Sequence, residues 1–283
     1  MPQVCIVTDN TAQFTQASFP GVELVTMLPL PIHLNGEVYS AGPLPPLFAL
    51  PHSLPDHSQP LVRTPAPQAL EQVLHNLSLE YREILVILLS RHLHPAFDYA
   101  VKTLESIRPS ATVHMIDSQT TAIGLGALVQ AAAGASQGNM PALEIKRYLL
   151  GLIPNIYAIF CLRDLTYLQK TGQLELSQAV VADLLQISPL YTLDNGRPIP
   201  LYKARSARNL VDIFYEFITE IDHLKQVALL QGYPPFTSEA RSLHERLQAE
   251  LHGPNCIEMS LNPVLAAILG PHTLAAFGIA DPG

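Results

Sequence analysis

Short, dense apolar runs alternate with stretches of helical spacing through the first half of the chain. Val4 to Val7 is closed by Thr8, Asp9, Asn10 and Thr11, which predicts a buried strand delivering polar groups to its carboxyl end. Val22 to Leu34 predicts a second extended region, made irregular or edge-like by Pro29 and Pro31 and ended by an Asn35-Gly36 turn. Helical spacing follows over Gln68 to Leu79 and Ala96 to Ile107, interleaved with strands at Glu83 to Leu89 and Thr112 to Ile116. This alternation implies parallel βαβ units. Ile123 to Ala135 is small and apolar on every side and reads as a buried helix, and Ala142 to Gly151 is a further helix.

Past Ile153-Pro154-Asn155 the rhythm changes. Tyr157 to Leu162 predicts a strand, Asp164 to Lys170 a helix ending at Gly172, and Gln178 to Leu185 another helix. Ser188 to Arg205 carries the pattern of a hairpin around Asp194-Asn195-Gly196. Leu210 to Leu224 is an amphipathic helix, Gln226 to Gln231 a strand, Ser238 to Leu251 a helix, and Cys256 to Leu261 the last predicted strand. The fold class expected is therefore α/β in two domains. Residues 1–152 form a parallel α/β sheet domain, and residues 153–283 an α+β domain with a mixed or antiparallel sheet.

One segment fits neither period. Pro43 to Pro67 holds eight prolines and almost no charge, so it cannot be helical throughout or lie inside a sheet, and a loop or lid is expected. Apolar residues make up 48% of the chain and charged residues only 14%, an excess that an internal apolar cavity or a buried contact surface would use. A net charge of -8 with 16 basic residues argues against a nucleic-acid partner, which needs clustered cations. Cys5, Cys161 and Cys256 are scattered and odd in number, so a reducing, cytoplasmic setting is expected and no disulfide framework. Met1-Pro2-Gln3 offers no basic start to a signal peptide, and Ala122 to Ala135 is too short for a transmembrane segment.

Three phrases in fixed order give the chain a family likeness: Ile6-Val7-Thr8-Asp9-Asn10-Thr11-Ala12, Met115-Ile116-Asp117-Ser118-Gln119-Thr120-Thr121-Ala122, and Leu261-Asn262-Pro263-Val264. Leu28 to Gly36, Tyr167 to Leu174 and Leu185 to Leu190 fit the same series. Together they resemble the DegV family of fatty-acid-binding proteins over nearly the whole length. The resemblance implies a buried acyl tail and a carboxylate held by hydroxyls and a histidine. It implies no cofactor beyond the bound fatty acid and no catalytic residues.

The likeness places the head group near Thr64, Ser90, His94 and His272. Thr64 is the one hydroxyl left in Arg63-Thr64-Pro65-Ala66-Pro67, where the family has a Thr-Ser-Gln-Pro-Ser-Pro phrase. Ser90 to Phe97 stands for a Ser-Ser-Gly-Leu-Ser-Gly-Thr-Tyr phrase, with His94 in place of the second donor serine and Pro95 in place of the glycine after it. Near the C-terminus Ile268 occupies the family's histidine register, with His272 four residues further on. Histidine can donate or accept and can be charged near neutrality, so His94 and His272 remain able to hold a head group.

The resemblance also implies a kinase subunit as partner, docked by basic residues that correspond to Lys203, Arg205 and Arg208. Gln173 and Ser188 replace an arginine and a lysine that members usually carry. The alternative from another class is an interaction or regulatory protein whose pocket is vestigial, filled by side chains such as Ile123 and Ile268. Enzymatic readings find little to stand on: Gly124-Leu125-Gly126 lacks the third glycine of a dinucleotide turn, and the chain has neither a phosphate-binding loop nor a nucleophile elbow. His92 and His94 lack a clear third ligand for zinc.

Overall fold

The computed structural model describes residues 4–40, 42–54, 61–170, 188–235, 237–251 and 255–281. Two sheets organise them. The first is wholly parallel, in the order β2-β1-β5-β6, and is built from Val25–Leu28, Cys5–Asp9, Glu83–Leu88 and Thr112–Asp117. Crossover helices α1 (Pro67–Ser78) and α2 (Ala96–Ser106) cover one face, packing Leu70, Leu74 and Phe97 against Val7, Ile84, Val86 and Leu88. Between β2 and α1 the chain makes a small hairpin of β3 (Ile32–Leu34) and β4 (Glu37–Tyr39) around Asn35-Gly36. The sequence pattern ends extended structure at that turn; β4 is exposed and short, too brief to show a period.

The second sheet runs β11-β10-β12-β7-β8-β9. Its strands are Asn255–Ser260, Leu224–Gln231, Leu274–Ala280, Ile156–Cys161, Ser188–Asp194 and Arg197–Ala204. Only β10 and β11 pair in parallel; every other pairing is antiparallel. Helices α6 (Ala207–Thr219) and α7 (Ser238–Glu250) cover its outer face through Leu210, Phe214, Leu243 and Leu247. Helix α6 stops at Thr219, short of the expected Leu224, because His223 turns with positive φ into β10. The predicted helix at Gln178 to Leu185 lies outside the described residues.

β12 is the main correction to the sequence reading, which ends strands at Leu261. It lies in the interior of the second sheet, between β10 and β7, with Ala275, Ala276 and Phe277 fully buried. A strand buried on both faces shows no alternation, and its Ala and Gly residues give no β signal.

Helices α3 (Ala122–Gln137), α4 (Ala142–Leu152) and α8 (Pro263–Leu269) fill the space between the sheets. One apolar core runs continuously from Ile6, Leu85 and Ile87 through Leu125, Leu128, Val264 and Ile268 to Phe160, Leu230 and Phe277. Helix α3 is buried on most sides, as its uniformly apolar sequence requires. The short helix α5 (Thr166–Lys170) follows β7 and buries Tyr167 and Leu168. No helix is long and apolar enough to cross a membrane among the described residues.

Candidate functional site

The three sequence phrases meet where the carboxyl ends of β1, β5 and β6 face the amino end of α8. Asp9, fully buried at the end of β1, accepts from the Thr11 amide at 2.9 Å and the Thr11 hydroxyl at 2.5 Å. Its other oxygen accepts from the Leu89 amide at 2.7 Å and so ties β1 to the end of β5. Burial pushes this carboxyl above the usual range, while the three donors pull it back. The Thr121 hydroxyl of the second phrase donates to that of Thr11 at 3.3 Å. From the third phrase, the Asn262 amide group donates to the Asn10 carbonyl at 2.8 Å, and the Gln13 side chain bridges Ser260 and Asn262.

Ser90 stands at the next strand end with no exposed surface. Its hydroxyl donates to the carbonyl of Gly196 at 2.7 Å and accepts from the His92 amide at 3.2 Å, so its one proton is committed. Gly196 sits at the tip of the β8–β9 hairpin with φ +79, and a Cβ there would lie 2.4 Å from the Ser90 oxygen and 2.8 Å from Gln119. Gln119 is itself in the left-handed region. A hairpin of the second domain is thus seated against two loops of the first.

The Ser90 carbonyl receives the amides of Leu93 and His94, and this tight turn feeds α2 through Pro95. His94 is only 5% exposed and its Nδ1 has no hydrogen-bond partner. Burial pushes the imidazole down to about 4, partly offset by the backbone of Val62, so the ring is neutral at neutral pH. Val62 belongs to the segment that closes the proline-rich loop and bridges to Ile32, with the His33 and Arg63 amides bonded across the same pairing. Thr64, half-buried, follows two residues later at the approach to α1. The structure therefore brings Ser90 and His94 together on one turn, with Thr64 close along the chain to the group that His94 touches.

His272 has different partners. Its ring stacks on His52 of the proline-rich loop with centroids 4.7 Å apart, hydrogen-bonds to it, and contacts the Tyr233 carbonyl. The same loop is fastened by Leu54 N–H to the Thr166 hydroxyl at 3.0 Å and by the Tyr167 hydroxyl to the Pro51 carbonyl at 2.6 Å. The expected lid thus lies over α5 and the turn before β12, and His272 is one of its contacts. Ile268, in the register of the family's histidine, is buried in the central core with Ile123.

Lys203 on β9, Arg205 just past its end and Arg208 in the first turn of α6 are all exposed. Arg208 also lines a cleft of about 400 Å³ with Asp212, Glu239 and Arg246. Ser188 begins β8, and Gln173 lies outside the described residues. No group of three or more His, Cys, Asp or Glu side chains among the described residues could hold a metal ion. Sequence reasoning missed the roles of Gln13, Asn262 and Gly196. Asn262-Pro263 carried a legible signal, since Asn at the N-cap with Pro next announces a helix start.

Comparison with known proteins adds the family context. A DegV domain-containing protein of Streptococcus pyogenes serotype M3 is 27% identical over 288 residues, covering 97% of each chain. The structure titled a fatty acid binding DegV family protein from Streptococcus agalactiae superposes with a TM-score of 0.83 at 22% identity, over 99% of this chain and all of that one. A Streptococcus pneumoniae Fatty Acid Kinase B3 protein loaded with linoleic acid gives a TM-score of 0.80 at 16% identity, over 99% and 100% of the two chains. The family model described as "Uncharacterised protein, DegV family" matches residues 3–281, and the chain belongs to the DegV family.

Proposed function

We propose that this protein is a non-catalytic cytoplasmic carrier of a long-chain fatty acid or related acyl lipid. The tail lies in the apolar interior and the head group lies near Thr64, Ser90 and His94. The observation that carries the reading is the buried, unpartnered Nδ1 of His94, in a fold shared at full length with a fatty-acid-binding and a linoleic-acid-loaded protein. The tail supplies most of the affinity, at about 0.8 kcal/mol for each buried methylene, and the head-group contacts choose the lipid class. His272 is engaged by His52 and Tyr233, so a head-group role for it requires exchanging His52 for the ligand.

The same reading divides the chain into residues 1–152 and 153–283, supported by the change of sheet type after α4. It also assigns Lys203, Arg205 and Arg208 to docking of a kinase subunit that would act on the presented head group. Their exposure and the kinase-system name of the pneumococcal relative support this step.

Mass spectrometry of organic extracts from the native protein is the test. A long-chain acid or acyl lipid at near-stoichiometric amount supports the carrier. A clean extract together with no measurable acyl binding overturns it and leaves the regulatory alternative, with Ile123 and Ile268 as part of a filled core.

A further inference from the structure

The position of His94 bears on which head group the site accepts, an inference that rests on the acyl-carrier reading. A buried carboxylate needs a compensating cation or several donors. Among the described residues, the cations around His94 are already engaged. On its own turn, Arg91 pairs with Asp98 of α2 at 3.2 Å and Asp117 of β6 at 3.3 Å, and lies over the Phe97 ring. His92, on the same turn, and Arg63, beside Val62, each have a partner too. The remaining charged group on the neighbouring strand ends is Asp9, which accepts from Thr11 and Leu89.

The donors that remain are uncharged, the hydroxyls of Thr64 and Thr120 among them. The Ser90 proton belongs to Gly196, and the hairpin tip would have to lift for a carboxylate to take it. Among the described residues the site offers one open imidazole nitrogen and the hydroxyl of Thr120, whose carbonyl accepts from the Ser90 amide, both enclosed, without a partner and uncharged. An uncharged imidazole presents one N–H and one acceptor, so it matches a group that shares a proton rather than a bare anion.

We propose that this seat holds the acyl head group in an uncharged, proton-sharing form. A fatty acid then binds together with one proton from solvent, shared between its carboxyl and His94, and an acyl alcohol of the same length binds as well as the acid near neutral pH. The bound state of the acid carries one proton more than the separate carboxylate and protein. The apparent Kd for the acid therefore rises as pH rises, while that for the alcohol does not.

Calorimetry with palmitate and with palmityl alcohol, each delivered from cyclodextrin to the full chain in buffers of different ionisation enthalpy, tests this directly. The expected result is uptake of about one proton per palmitate and none per alcohol. Between about pH 6 and pH 8 the palmitate Kd rises about tenfold per pH unit, with a flat profile for the alcohol. Tight palmitate binding with no proton uptake and much weaker alcohol binding overturns the proposal and leaves the carrier reading standing. Failure of both ligands to bind overturns the carrier reading and this proposal with it. In the His94→Ser variant, proton uptake on palmitate binding should vanish; persistent uptake shows that the proton resides elsewhere and removes His94 from the role.

Discussion

The side-chain amide of Asn262 donates to the backbone carbonyl of Asn10 at 2.8 Å, across 252 positions of sequence and from one domain to the other. The Asn262 carboxamide oxygen meanwhile accepts from the Val264 amide at 2.7 Å and caps α8. One residue thus starts a helix of the second domain and fixes that helix to the first strand of the other. The arrangement gives the third sequence phrase a physical reason: an Asn can do both, and no other side chain of that size has a donor and an acceptor so placed.

Asn262→Ala removes both bonds and should cost about 1–3 kcal/mol in urea unfolding. Asn262→Asp keeps the cap but turns a carboxylate oxygen toward the Asn10 carbonyl. It should be no more stable than the alanine variant. An aspartate variant close to wild type would show that the cap carries the effect and the link between domains contributes little.

Gly126 and Gly134 lie on the same helix, α3, and should respond to alanine in opposite ways. A Cβ at Gly126 would fall 2.0 Å from the Gln13 carbonyl oxygen and 2.8 Å from its carbon, both backbone atoms that the Asn262 latch holds in place. At Gly134 nothing lies within 4 Å. Gly126→Ala should destabilise by about 1–3 kcal/mol through forced backbone displacement. Gly134→Ala should stabilise by about 0.5–1 kcal/mol, the usual helical gain over glycine. Thermal melts of the two variants, compared with wild type, check both signs.

The contrast between these glycines also shows what the chain reveals unaided. The parallel sheet was legible because dense strands and helical spacing alternate on one strand-helix period, and the Asp194-Asn195-Gly196 turn announced its hairpin. β12 was not legible, because Leu274 to Ala280 is mostly Ala and Gly between its larger apolar residues and is buried on both faces. Thr64, Ser90 and His94 were named from family likeness, yet nothing in sequence order says that the Ser90 proton is taken by Gly196, 106 positions away. Which glycine must stay a glycine is likewise a property of what comes to lie beside it.

Tyr167→Phe tests the seating of the proline-rich loop. The Tyr167 hydroxyl is the donor to the Pro51 carbonyl at 2.6 Å, in a side chain that is otherwise fully enclosed. Its removal should cost about 0.5–1.5 kcal/mol. The loss should fall on the loop rather than on the core. Limited proteolysis within residues 43–54 should quicken while the global unfolding midpoint moves little; an unchanged cleavage rate would show that Leu54 and Thr166 suffice to hold the loop down.

His94 should also set an acid limit on stability. Its imidazole is lowered from 6.5 to about 4 by burial, with the Val62 backbone opposing. A depressed folded value means that the unfolded chain takes up the proton first as pH falls. The contribution is therefore intact above about pH 6.5, declines between that point and about pH 4, and is lost below it, a total of about 3 kcal/mol. His94→Gln keeps a polar side chain of similar length and has no such titration. The gap in urea midpoint between wild type and this variant should accordingly shift in the variant's favour between neutral pH and about pH 4.5. A gap that stays constant over that range would mean that His94 titrates as a solvated histidine does, and that the enclosure seen around its ring opens in solution.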